Sequence, residues 1–167
     1  MLNIAVSNEP IEARVTDVKP HYLEALSPIE RLHRRLLDVI KDEFDQSGRS
    51  EVNSVQALLI HNIGESEVTA GELRKRGYYL GTNVSYNLKK LVEAGYIRHE
   101  RSQVDRRSVH ISLTEMGHEV AQIVNGFYDR HVSMQEVGDI ASDEFRELNR
   151  SLKKLERFWK DQVLYRH

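Results

Sequence analysis

The sequence predicts a mainly α fold (α+β) with one small β-hairpin, and three observations predict it. Apolar residues recur every three or four positions over most of the chain, which is helical spacing. The period changes to two over Tyr96–Arg101 and Ser108–Leu113, which read as two strands joined by the polar turn Ser102–Arg107. The 167 residues include only three prolines and nine glycines, too few for a loop-rich architecture. With 40% hydrophobic and 30% charged residues, the chain can both bury a core and solvate its surface.

Residues 1–26 carry Pro10 and Pro20 with weak periodicity and are expected to form an N-terminal arm, with a short helix around His21–Ala25. Ser27, Pro28 and Glu30 then offer a capping box with proline at the first helical position. From there Ile29, Leu32, Leu36, Ile40 and Phe44 mark one buried face of a helix that Ser47 and Gly48 stop. Asn53 with Gln56 opens a second helix, whose apolar stripe is Val55, Leu58, Leu59 and Ile63 and whose stop is Gly64. Thr69 with Glu72 opens a short third helix ending at Gly77, with Leu73 as its core residue.

A fourth helix follows, with Gly81 or Thr82 as its cap. Val84, Leu88, Leu91 and Val92 form its inner face, and it ends at Gly95. After the hairpin, Thr114 caps a helix to about His131, with Val120, Ile123, Val124 and Phe127 on its core side. Ser142 is expected to cap the last helix. Its stripe is Phe145, Leu148, Leu152, Leu155, Phe158 or Trp159, and Val163.

Charge is unevenly distributed. The net charge is only -2, but from Glu72 to His110 nine basic residues face four acidic ones, a local +5 that leaves -7 for the rest. A basic middle between acidic flanks suits a surface that meets a polyanion. The absence of cysteine excludes a disulfide framework, a thiolate metal site and a thiol switch. Met1–Leu26 lacks the basic-then-apolar pattern of a signal peptide, and no apolar run is long enough to span a membrane, so a cytoplasmic protein without membrane contact is expected. The eight histidines form no His-x-x-x-His pair, and no Gly-rich phosphate loop or Gly-x-Ser-x-Gly elbow occurs. No metal, no cofactor and no enzymatic activity is therefore expected.

Two helices joined by a short turn, the second polar on its outer side and followed by a basic hairpin, form a winged helix-turn-helix pattern over residues 51–114. A helix enters the major groove of DNA only if its outer face can hydrogen-bond base edges while its inner face is held by a core. Thr82, Asn83, Ser85, Tyr86, Asn87, Lys89 and Lys90 supply such an outer face. Asn83 and Asn87 suit adenine edges, Thr82 and Ser85 suit bases or phosphates, Tyr86 a sugar or thymine methyl, and the two lysines phosphates. In the wing, Arg98, Arg101, Ser102, Gln103, Arg106 and Arg107 are the candidate DNA contacts, with Asp105 orienting an arginine. The expected partner is duplex DNA, met by the segment Thr69–Leu113. The alternative is a winged-helix protein-interaction module that does not touch DNA.

The run Asp105-Arg106-Arg107-Ser108-Val109-His110-Ile111-Ser112-Leu113-Thr114-Glu115-Met116-Gly117 resembles the wing and following helix start of MarR-type regulators, with their Asp-x-Arg wing and Leu-Thr-x-x-Gly helix start. Thr82–Ile97 is similar to their recognition helix and its exit into the wing, and the resemblance extends from about Ser27 to Val163. It implies a homodimer held by residues 27–50 and 115–167, a pseudo-palindromic operator, action as a repressor or activator, and a small-molecule effector. Leu36, Ile40, Phe44, Leu59 and Phe127 are the residues that could line an effector pocket; each also suits plain core. Tyr78-Tyr79-Leu80-Gly81 resembles a branch that includes the L,D-transpeptidase regulators of alphaproteobacteria. The doubled Asp-x-Arg pattern of many members is broken, because Ser102 and Val104 stand where the first pair would fall. Arg106 is then the candidate for the minor groove.

Overall fold

The computed structural model describes residues 11–75, 82–101, 109–134 and 139–164, apart from the side chains of 11–16, 70, 74–75, 82–84 and 164. Six helices and three short strands are present among them. They are α1 (Ile11–Gln46), α2 (Ser54–Ile63), β1 (Val68–Thr69), α3 (Ala70–Lys75), α4 (Thr82–Glu93), β2 (Ile97–Arg101), β3 (Val109–Leu113), α5 (Glu115–Ser133) and α6 (Ser142–Leu164). The chain divides into two compact units, Met1–Gln122 and Ile123–His167.

In the first unit, short-range chemistry sets most helix ends. Asn53 accepts from the Gln56 amide at 2.9 Å while Gln56 reaches back to the Asn53 amide at 3.2 Å. Thr69 and Glu72 make the same reciprocal pair at 3.1 and 2.7 Å. Thr114 accepts from the Gly117 amide at 3.2 Å at the start of α5. All three caps are where the sequence places them.

The start of α1 is not. The helix begins at Ile11 and runs unbroken through Pro20 and Pro28, so Ser27 is an interior residue rather than a cap. Its hydroxyl is taken by the Arg31 guanidinium one turn on. Each proline leaves the carbonyl a turn earlier without its helical donor, yet the helix continues. A capping box and a proline are local signals, and they do not distinguish a helix start from an interrupted helix. In the second unit, α6 is capped by Ala141 rather than Ser142. The Ala141 carbonyl accepts from Phe145 and its amide donates to Glu144 at 2.8 Å.

The sheet is three-stranded and antiparallel in the order β1-β3-β2, one strand more than the predicted hairpin. Val68 pairs with Ile111, Ile97 with Leu113 and Arg101 with Val109. A two-residue strand has no alternation to betray it, which is why β1 is invisible in the sequence.

The first unit's core is built from Ile40 and Phe44 of α1, Ala57, Leu59, Ile60 and Ile63 of α2, Leu91 of α4, and Ile97, Ile111 and Leu113 of the sheet. Each large side chain here contributes about 2–3 kcal/mol by leaving water. Val124 and Phe127 are buried in the second unit. Two expected core positions are instead on the surface: Leu32 is 65% exposed, and Val92, in the last turn of α4, is also exposed. The predicted stripe of α6 exists but is not covered: Phe145, Leu148, Leu152, Trp159 and Val163 are all exposed.

Candidate nucleic-acid interface

Thr82–Glu93 is helical, as the polar-outside pattern requires. Leu91 is its buried anchor, Leu88 is half-buried, and Ser85, Tyr86, Lys89 and Lys90 lie on the surface. Tyr86 is 61% exposed, far more than a core aromatic would be. Asn87 is half-buried. The side chains of Thr82, Asn83 and Val84 lie outside the described residues. So do Tyr78-Tyr79-Leu80-Gly81 and the tip of the wing, with Ser102, Gln103, Asp105, Arg106 and Arg107.

The lysines of α4 are not isolated charges. Lys90 Nζ lies 3.0 Å from Glu93 Oε2 and 5.9 Å from the centre of the Tyr86 ring, and Lys89 Nζ lies 3.8 Å from Glu93 Oε1. The hydrogen bond to Glu93 holds the Lys90 ammonium above its usual range, and the same bond holds the Glu93 carboxyl below its own. One carboxylate thus neutralises part of the charge that α4 offers. In the sequence Glu93 counts only as one of the four acidic residues of the basic stretch, although its spacing of three and four residues from the lysines was a readable pairing signal.

On β2, Arg98 and Arg101 are both exposed. Three residues apart on a strand, they face opposite sides of the sheet. Arg101 shares the face of Ile97 and His99, and Arg98 shares that of Ser112 and His110. An open groove of about 400 Å³ runs between α4 and β2, lined by Ser85, Leu88, Lys89, Val92, Glu93 and His99.

The junction behind this surface is closely fitted. Thr114 donates from its hydroxyl to the Gly95 carbonyl at 2.7 Å and from its amide to the Tyr96 carbonyl at 3.1 Å, so the cap of α5 also grips the exit of α4. A Cβ on Gly117 would lie 2.2 Å from that Tyr96 carbonyl oxygen. The Leu-Thr-x-x-Gly pattern at Leu113–Gly117 therefore has a steric and a hydrogen-bonding cause.

Of the residues considered for an effector pocket, Ile40, Phe44, Leu59 and Phe127 are buried and Leu36 is half-buried. Among the described residues, no group of three or more His, Asp or Glu side chains could hold a metal ion, and no helix is long and apolar enough to cross a membrane.

Two helices leading into an exposed polar helix, then an antiparallel hairpin and a gripping cap, define a winged helix-turn-helix domain. Residues 52–117 match the family model described as winged helix DNA-binding domain. The chain is 34% identical over 148 residues to the exopolysaccharide II synthesis transcriptional activator ExpG of Rhizobium meliloti (strain 1021), across 86% of this chain and 74% of that protein. It belongs to the MarR-type winged helix-turn-helix transcription regulators. Its fold is also similar to that of Streptococcus pneumoniae FabT, solved in complex with DNA, at a TM-score of 0.66 and 22% identity over 84% of this chain and 99% of that one. AbsC, a MarR family transcriptional regulator from Streptomyces coelicolor, superimposes with a TM-score of 0.67 at 19% identity, covering 82% of this chain and 93% of its own. A mutant MarR from E. coli, complexed with operator DNA, gives 0.64 at 18% identity, covering 84% and 96%.

Proposed function

We propose that this protein binds duplex DNA as a homodimer and regulates transcription by occupying a pseudo-palindromic operator. The observation that carries the reading is the outer surface of α4, where Ser85, Tyr86, Lys89 and Lys90 are exposed on a helix anchored by Leu91. Asn87 on the same helix is assigned to a base edge and Lys90 to a phosphate. The local charge of +5 around α4 and the hairpin supports this. Arg98 and Arg101, on opposite faces of β2, suit contacts to the backbones on either side of the wing. The two copies of α4 would enter successive major grooves about 34–36 Å apart along the duplex.

The dimer is supported by the open apolar faces of the long helices. On α6, Phe145, Leu148, Leu152, Leu155 and Trp159 follow alternating spacings of three and four, which is the seam of a helix that packs against another. On α1, Val18, Leu32 and Val39 are exposed at multiples of seven residues. We assign residues 27–50 and 115–167 to the dimer and 51–114 to DNA. A small-molecule effector is part of the proposal, with Leu36, Ile40, Phe44, Leu59 and Phe127 as the residues it would meet. The buried ones would have to move to admit it.

The test is selection of bound genomic fragments, followed by Kd measurements on the recovered operator and on random duplex over a range of salt. Asn87→Ala should lower operator affinity while leaving random DNA unchanged, which narrows the ratio by about 1–3 kcal/mol. Equal losses on both duplexes remove Asn87 from base reading. No binding to any duplex at low salt would leave a protein-interaction module in place of the regulator.

A further inference from the structure

Four side chains behind the interface form a polar clasp that DNA contact does not itself require. Two helices end in the same way. At the end of α1, Gly48 has φ of 70°, and the amides of Gly48 and Arg49 donate to Asp45 and Phe44 carbonyls at 3.3 and 2.9 Å. At the end of α4, Gly95 has φ of 80°, and the amides of Gly95 and Tyr96 donate to Val92 and Leu91 at 3.0 and 2.9 Å. Both are left-handed glycine stops of the same type. In each, the residue directly after the glycine, Arg49 or Tyr96, carries the clasp.

The Tyr96 hydroxyl donates to Glu51 Oε1 at 3.0 Å, and the ring is only 4% exposed. The Arg49 guanidinium is bound to Glu119 of α5. Arg49 and Glu51, two residues apart on the segment after α1, tie the two pairs together. Glu51 is held below the usual carboxylate range by its own backbone amide and by Tyr96, while burial, followed by the neighbouring Glu51, raises the Tyr96 phenol.

Among the described side chains of α4, Leu91 alone is fully buried. Leu91 and the Thr114 bonds to the Gly95 and Tyr96 carbonyls hold the end of α4, and a further contact there fixes its angle more tightly. We propose that the Glu51–Tyr96–Arg49–Glu119 clasp supplies it, making Tyr96 and Arg49 positioning residues that set the attitude of α4 toward DNA. This rests on the DNA-binding reading, since attitude matters most where base edges must be met and little where only phosphates are.

The experiment is Tyr96→Phe in the full-length protein, which keeps the ring and drops the hydroxyl. Operator affinity should fall about tenfold, as for one lost hydrogen bond, while random-duplex affinity changes less than about twofold. Amide hydrogen exchange should quicken in residues 88–94 and stay unchanged in residues 57–63. Arg49→Glu should reproduce both effects, and pairing it with Glu119→Arg should restore part of the operator affinity. Arg49→Gln, at a partly exposed side chain, gives the same readout if Tyr96→Phe fails to fold. An unchanged operator-to-random ratio with unchanged exchange in α4 overturns the clasp. If the parent protein binds no duplex, the DNA reading fails, and the exchange measurement alone still decides whether the clasp holds α4.

Discussion

The winged region and the long terminal helices solve the burial problem in opposite ways. Among the described residues from Asn53 to Gly117, α2, α3 and α5 start at side-chain caps, the strands are paired, and Leu59, Ile60, Ile63, Leu91 and Ile111 are fully enclosed within one chain. In α6, over 23 residues, all of the apolar stripe but the half-buried Leu155 is exposed, with Leu148 50% exposed and Val163 66% exposed. A stripe that regular is not maintained for water, and a single chain leaves it unsatisfied. The contrast supports the proposal that the terminal helices pair between two copies, whereas the described core of the winged region is buried within one.

The largest effect should come from breaking the open side. Leu152→Glu places a charge in the middle of the α6 stripe. Sedimentation velocity should show a monomer, and operator affinity should fall by on the order of 100-fold or more as the two DNA modules cease to act together. Retention of a dimer would mean that α6 is not part of the interface. Breaking the closed side should cost stability instead. Gly117→Ala drives a methyl into the Tyr96 carbonyl and should destabilise the chain by about 1–3 kcal/mol in urea titration, with the dimer intact where the protein is folded. The smallest change touches neither side. Glu93→Gln releases Lys89 and Lys90 from their shared carboxylate, so the salt dependence of random-duplex binding should steepen by about one phosphate contact, with no change in assembly. An unaltered salt slope would show that the lysines do not reach phosphates.

The same contrast separates what the sequence makes legible from what it hides. Caps at Asn53, Thr69 and Thr114 are chemistry within three residues, and they read directly. The outer face of α4 reads equally well, because periodicity reports which side of a helix is polar. It does not report what covers the apolar side, so Leu32 and the α6 stripe look like core and are surface. Ser27 and Pro28 mislead for a related reason, since a local signal carries no information about the helix that precedes it. Glu51 and Tyr96 meet across 45 positions of sequence, and no spacing rule links them. For the interface, the sequence located the helix and the hairpin. It did not foresee that Glu93 would neutralise part of the lysine charge or that Arg98 and Arg101 would point apart.

The strand order has a consequence for how copies of this protein can meet. β3 lies in the middle; the two residues of β1 shield one margin, and β2 forms the other with Arg98, Glu100 and Arg101 along it. A margin so charged resists strand addition by another molecule. Fibre-like growth through the sheet is thereby discouraged.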